Sequence, residues 1–304
     1  MQKMEIEKEI AEFVDTIKKD PFKCYFQNKG NEKVKWEEDK VYVDALYQGY
    51  LDACRTFKWE KDGKDNKKYI RGIFEEKEIV GDMKNYLSVG KIESFDEIHK
   101  KICVNLIEKC EERISMTYGQ AQKIINMAFK YLYCCRHDSA MEERFKACHM
   151  PLDSFSLEWF KRKFGEDDFT NFERYSENHK KLPENLFTQK GEKKKLKAES
   201  KGSWSSMQTW EEGCEKQEYP YEFYAYVIKK YCDERLITPL QLDFIVWSKI
   251  QKIMAAESFI KTFKDDDEES KKEKKSEKSE AYDINNLKNT LENRLIKIRP
   301  LICK

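Results

Sequence analysis

Asp243 sits where a carboxylate is expensive. In the helix that Pro239 opens, it projects between Ile250 and Met254, amid Leu242, Val246 and Trp247. A carboxylate on an apolar face costs free energy unless it is paired or put to use. It can pair with the helix N-terminus or with a buried Lys, Arg or Tyr. It can instead serve as a general base or substrate-binding carboxylate of raised pKa. Asp153, just after Pro151, is a second candidate carboxylate. The stretch 117–135 adds Gln122, Lys123, Asn126 and Lys130, a narrow polar stripe on an otherwise apolar helix. Such a stripe reaches solvent or has a structural role, or it lines a cleft. If Asp243, Asp153 and the stripe converge in one pocket, the chain carries an enzyme site. If they scatter, that reading fails.

Three other groupings have a chemical reading. Cys148 precedes His149, with Cys134, Cys135 and His137 upstream. This spacing matches no zinc finger or ribbon, and adjacent residues seldom ligate one ion together, so no metal is expected. A Cys–His nucleophile pair needs partners that meet in space, which sequence neighbours rarely do. Tyr118, Gly119 and Gln120, with Lys123, offer free N–H groups and a cation to an anion, but neither GxxxxGK[ST] nor GxGxxG is present. The run 190–201 holds six Lys against two Glu and lies near Trp204 and Trp210. Basic residues beside aromatics suit single-stranded nucleic acid, so 190–210 is a candidate contact surface, with Trp204 and Trp210 as binding residues. A helix-hairpin-helix DNA-repair enzyme is another helical class with glutamine-rich helix starts. Its Gly-rich hairpin and its Lys-then-Asp pair are not visible in the chain, so no family resemblance is drawn.

These residues need elements to hold them. The chain has 304 residues, 39% hydrophobic and 38% charged, with 11 Gly and 6 Pro. So few chain breakers among many Lys and Glu favour helices. The expected fold class is all-α: a multi-helix globular body around a buried central helix, with a polar insertion and a linker-tethered C-terminal amphipathic helix. The hub is 117–135. Thr117 and Gln120 form a capping box, and the apolar residues from Ala121 to Cys135 cover roughly 200° of the helix, enough to touch neighbours on several sides. Further capping boxes are read at Ser94/Glu97 and at Thr238/Gln241, the latter opening a helix to about Phe263. Apolar spacing marks helices over 4–19, 39–57, 69–74, 83–87 and 157–164, the last capped by Asp153 or Ser154. Another follows Pro220. Residues 22–38 read as loop with room for a short hairpin.

The body spans 1–263, with 165–203 as a polar, flexible insertion. Residues 264–281 form a charged linker, and 282–304 a terminal helix whose Ile284, Leu287, Leu291, Leu295 and Ile298 make a heptad-like stripe. That stripe covers the body, a second copy or a protein partner. The balance of 58 Lys+Arg against 57 Asp+Glu leaves +1, no argument for nucleic acid or membrane. The 10 Cys are scattered, and no secretory or membrane-spanning pattern is visible, which points to the cytoplasm. The leading expectation is an intracellular binding protein acting through protein or nucleic-acid contacts, without a cofactor. The alternative is an enzyme built on Asp243 and Asp153.

Overall fold

A computed structural model describes residues 2–17, 34–60, 65–88, 94–135, 137–164, 188–189, 192–193, 203–209 and 221–273. The architecture is all-α. The helices are α1 (Gln2–Thr16), α2 (Asp39–Ala53), α3 (Asn66–Glu75), α4 (Lys77–Leu87), α5 (Phe95–Cys110), α6 (Tyr118–Tyr133), α7 (Ser139–Phe145), α8 (Ser154–Phe164), α9 (Tyr221–Arg235) and α10 (Pro239–Glu273). Thr188–Gln189 and Glu192–Lys193 pair antiparallel as β1 and β2, a two-residue ladder inside what the sequence presents as a polar loop.

Helix α6 is the hub, and it is buried all round: every residue from Tyr118 to Leu132 is covered. The capping box forms as expected. The Thr117 hydroxyl accepts from the Gln120 backbone N–H at 3.2 Å, and the Gln120 side chain accepts from the Thr117 N–H at 3.0 Å. Helix α2 lies along α6 so closely that a Cβ at Gly49 would stand 2.4 Å from the Ile124 carbonyl oxygen. Only glycine permits that approach. Gly119 does the same for the 3₁₀ turn Trp204–Ser206: a Cβ there would meet the Trp204 carbonyl at 2.0 Å, and the Gly119 N–H donates to the Met207 carbonyl at 2.8 Å. The central helix thus holds Trp204 in place through its first turn.

Helices α1 and α8 both pack on α10, which brings Phe13 and Asp153 towards Asp243. Just past the end of α9, Leu236 has a φ of 55°, in the left-handed region, while the Ile237 N–H returns to the Cys232 carbonyl at 3.2 Å. Glycine is usual at that position. The chain then re-enters helix through the Thr238/Gln241 capping box, with its two reciprocal bonds at 3.1 and 3.2 Å.

Several expectations need correction. Ser94 precedes α5 but its side chain makes no capping bond. Helix α7 has no counterpart in the sequence reading; its start is marked by Asp138, whose carboxylate accepts from the Met141 N–H at 2.9 Å. Helix α10 passes Phe263 and runs to Glu273, into the charged stretch. Lys and Glu are good helix formers, and a polar run extends a helix as readily as it interrupts one. The proposed hairpin before residue 34, Pro220, Trp210 and the stripe 284–298 lie outside the described residues, as does most of 190–201. Among the described residues no helix is long and apolar enough to cross a membrane.

Candidate functional site

Two lysines of the polar stripe on α6 each end on one of the two aspartates singled out above. Lys123 donates to Asp153 Oδ2 at 2.6 Å, and Lys130 donates to Asp243 Oδ2 at 2.5 Å. Both pairs are out of solvent: the Lys130 and Asp243 side chains are 1% and 4% exposed, those of Lys123 and Asp153 6% and 13%. Asp153 owes its position to α8. Its Oδ1 caps that helix, accepting from the N–H groups of Phe155 at 2.9 Å and Ser156 at 3.0 Å, which leaves Oδ2 for the amine. Asp243 is presented one turn into α10, just after the Thr238/Gln241 cap.

Between these pairs lies a cavity of about 630 Å³. That is within the usual range for a small-molecule site. Its walls combine the two ion pairs with Phe13, Phe155, Trp204 and Trp247. Lys130 is caged: its Nζ stands 4.1 Å from the centre of the Phe13 ring, 4.6 Å from Phe244 and 5.8 Å from Trp247. Rings around a desolvated ammonium are worth about 2 kcal/mol. A third carboxylate, Asp52, accepts from the Tyr131 hydroxyl at 2.8 Å on the same wall. Arg55 and Gln48 complete the lining.

Burial and charge push the two aspartates in opposite directions. For Asp153, burial alone would raise the pKa, but the Lys123 ammonium and the Ser156 N–H outweigh it and hold the carboxyl below its ordinary value. For Asp243, burial wins over the Lys130 charge, and the neighbouring Asp153 adds to it, so its pKa is raised. Burial works against the charge on Lys123, but the carboxylates of Asp153, Asp243 and Asp52 hold its ammonium above the usual lysine range. Asp153 is thus the more acidic of the two carboxyls and Asp243 the less.

The other edge of the stripe does different work. Gln122 clamps the residue before Asp153: its amide donates to the Leu152 carbonyl at 2.9 Å, and its oxygen accepts from the Leu152 N–H at 3.2 Å. Asn126 donates to Gln122 Oε1 at 3.0 Å and to the Tyr221 hydroxyl at 2.9 Å. Tyr221 meets His149 at 2.8 Å, and His149 meets Asp96 at 2.7 Å. Gln122 and Asn126 therefore do not line the cavity. They belong to a buried network that fixes the loop delivering Asp153. None of the four side chains reaches solvent; Gln122 and Asn126 have structural roles, and Lys123 and Lys130 line the cleft.

The remaining candidates separate. Cys148 donates to the Arg144 carbonyl, and burial drives its thiol pKa well up, the opposite of what a nucleophile needs. His137 meets Glu142 at 2.6 Å and packs against Tyr133 and Phe145. At the start of α6, the Gly119 N–H is taken by Met207, so that helix end is not an open anion site. Of the expected site residues, Asp243, Asp153, Lys123, Lys130 and Trp204 meet at one cavity. The sequence reading missed Phe13, which lies over 100 residues away on α1, and Gln48, Asp52 and Arg55 on and just after α2. Nothing local marks them; each sits in an ordinary amphipathic helix or its end.

A lysine attacks only after losing its proton; here the carboxylates hold Lys123 charged, so it would first have to pass that proton to a neighbour, and Asp153 is the one in contact with it. The aromatic walls suit a flat ligand, and the Lys130–Asp243 pair offers both donors and acceptors to its polar edge. Compared with known proteins, the chain matches no family model, no curated protein and no solved structure.

Proposed function

We propose that the protein is a base-excision enzyme of nucleic acid, which draws a base out of the strand into the cavity and breaks its bond to the sugar with Lys123 and Asp153. The observation that carries this is the Lys123–Asp153 pair, 2.6 Å apart and buried on the wall of an aromatic cavity. A Lys followed by an Asp is the pair expected of helix-hairpin-helix DNA-repair enzymes. Here Asp153 ends the short loop that joins α7 to α8, and the two partners are separated by 30 residues, which hides the pair from a local reading. The loop contains no glycine, so the likeness is one of chemistry.

The step balances. Lys123 passes a proton to Asp153. Its nitrogen then bonds to the anomeric carbon as the bond from that carbon to the base breaks. The base leaves with that electron pair and takes up the proton that Asp153 received from Lys123. Opening of the sugar ring turns the new bond into a protonated imine, which a hydride donor reduces to a stable amine. Enzymes that act on a base take it out of the stack and hold it between aromatic or apolar side chains; Phe13, Phe155, Trp204 and Trp247 supply such walls. Arg55 lines the cavity with an exposed side chain, on a 3₁₀ turn pinned by Gln120, whose amide donates to the Thr56 carbonyl at 2.8 Å. A cation there suits a backbone phosphate. The interaction reading keeps its place for 190–210 and 284–298, where strand or partner contacts would be additional to this site.

The test is trapping. Borohydride added during incubation with an oligonucleotide carrying an abasic site should give a covalent protein–strand adduct, absent in Lys123→Met. An adduct formed equally by Lys123→Met, or none with wild type, overturns the reading. Trapping of free aldehydes or ketones but not strands would move the protein to carbonyl chemistry. Arg55→Ala should weaken strand binding evenly across sequences and reduce the slope of log K against log salt by about 1.

A further inference from the structure

One polar atom on the cavity wall has no partner. Gln48 is 8% exposed, lines the cavity, and its Oε1 is buried without a hydrogen bond. Buried side-chain acceptors are nearly always satisfied, so an orphan one is normally completed by a water or a ligand. Its backbone is placed by α2, which Gly49 lets settle against α6. On the same cavity, Lys130 and Asp243 already hold each other, and Lys123 holds Asp153. Gln48 Oε1 adds a buried acceptor that no protein group uses.

Resting on the proposed function, we infer that Gln48 is a specificity-determining residue that accepts a hydrogen bond from an N–H of the bound base. A site built to receive such a donor rejects an analogue that lacks it far more strongly than an apolar pocket rejects a change of size, because the buried acceptor is then left unpaired. A base methylated at the nitrogen that faces α2 both loses the donor and places a methyl against the carboxamide. The preference is for the N–H itself, and it is separate from the chemistry at Lys123.

Competition reads this directly. Wild-type protein bound to a fluorescent abasic oligonucleotide is titrated with free bases and their N-methyl counterparts: uracil and 3-methyluracil, hypoxanthine and 1-methylhypoxanthine, adenine and N6,N6-dimethyladenine. At least one pair should show a tenfold or greater preference for the N–H form. Gln48→Met, which keeps length and removes the acceptor, should bring that ratio to within about twofold, while Gln48→Glu, which keeps an acceptor, should retain most of it. A protein with merely loosened packing would lose affinity for both members alike and keep the ratio. Equal binding of both members of every pair by wild type, a ratio unchanged in Gln48→Met, or no binding by any base overturns the inference while leaving the trapping result, and with it the role of Lys123, standing.

Discussion

Lys130→Met should cost the protein about 3–5 kcal/mol of stability at pH 7, the usual penalty for removing one partner of a buried ion pair. The reason is the carboxylate left behind. Asp243 is 4% exposed in its side chain, and the Lys130 charge is the first of the influences that oppose the effect of its burial. Without that charge its pKa, already above the ordinary value, moves further up. A carboxyl group whose folded pKa is raised contributes most favourably below its unfolded pKa, and that contribution is lost as pH rises through the folded pKa. The deficit of Lys130→Met relative to wild type should therefore be largest at neutral pH and shrink as pH falls towards ~4, the unfolded aspartate value. In the mirror variant, Asp243→Leu, the buried ammonium keeps its rings but loses its carboxylate, so that variant too should be destabilised. Removing both charges, in Lys130→Met with Asp243→Leu, should recover most of the lost stability, since a buried pair replaced by apolar groups of similar volume is often neutral. Urea melts at several pH values read all three. A deficit for Lys130→Met that does not change with pH would show that Asp243 finds another partner.

That pair also shows how far the sequence can be read. Helical periodicity located α6 and its cap, because the signals there are local: a Thr at the boundary, a Gln three residues on, and apolar residues around the circumference. It flagged Asp243 as anomalous for the same reason, a charge on an apolar face. The anomaly has a name for its partner only in three dimensions, because Lys130 stands 113 residues earlier. The stripe on α6 looked like one surface and is two: Lys123 and Lys130 turn to the cavity, while Gln122 and Asn126 turn to Leu152 and Tyr221. Adjacent rows on a helix face different neighbours, and the sequence does not say which neighbour each row meets. Gln48 was invisible for a related reason. It lies in an amphipathic helix beside Gly49, and its unpaired oxygen has meaning only against the list of groups that surround it.

Asp153→Asn should separate two steps that Lys123→Met removes together. Asparagine is as good an N-cap as aspartate, so α8 and the loop before it should stay in place. The Lys123 ammonium, however, loses the carboxylate that does most to hold its pKa up, and burial then favours the neutral amine. More of the nucleophile is present at pH 7, and imine formation on an abasic strand, which needs only a free amine and an aldehyde, should persist with its pH profile moved to lower pH. Excision of a base is different. There the bond to the base breaks while positive charge develops on the sugar, and the variant has no anion at that point and no acceptor for the Lys123 proton. Loss of a positioned acid–base group costs typically ~10²–10⁴-fold, so excision should fall by about that factor with little change in strand affinity. Single-turnover assays on an abasic strand and on a strand carrying the intact base measure the two steps side by side. If both fall together, Asp153 serves only to place Lys123; if neither falls, the charge on Asp153 plays no part in the reaction. A large loss confined to the intact base assigns the carboxylate to the bond-breaking step and Lys123 to both.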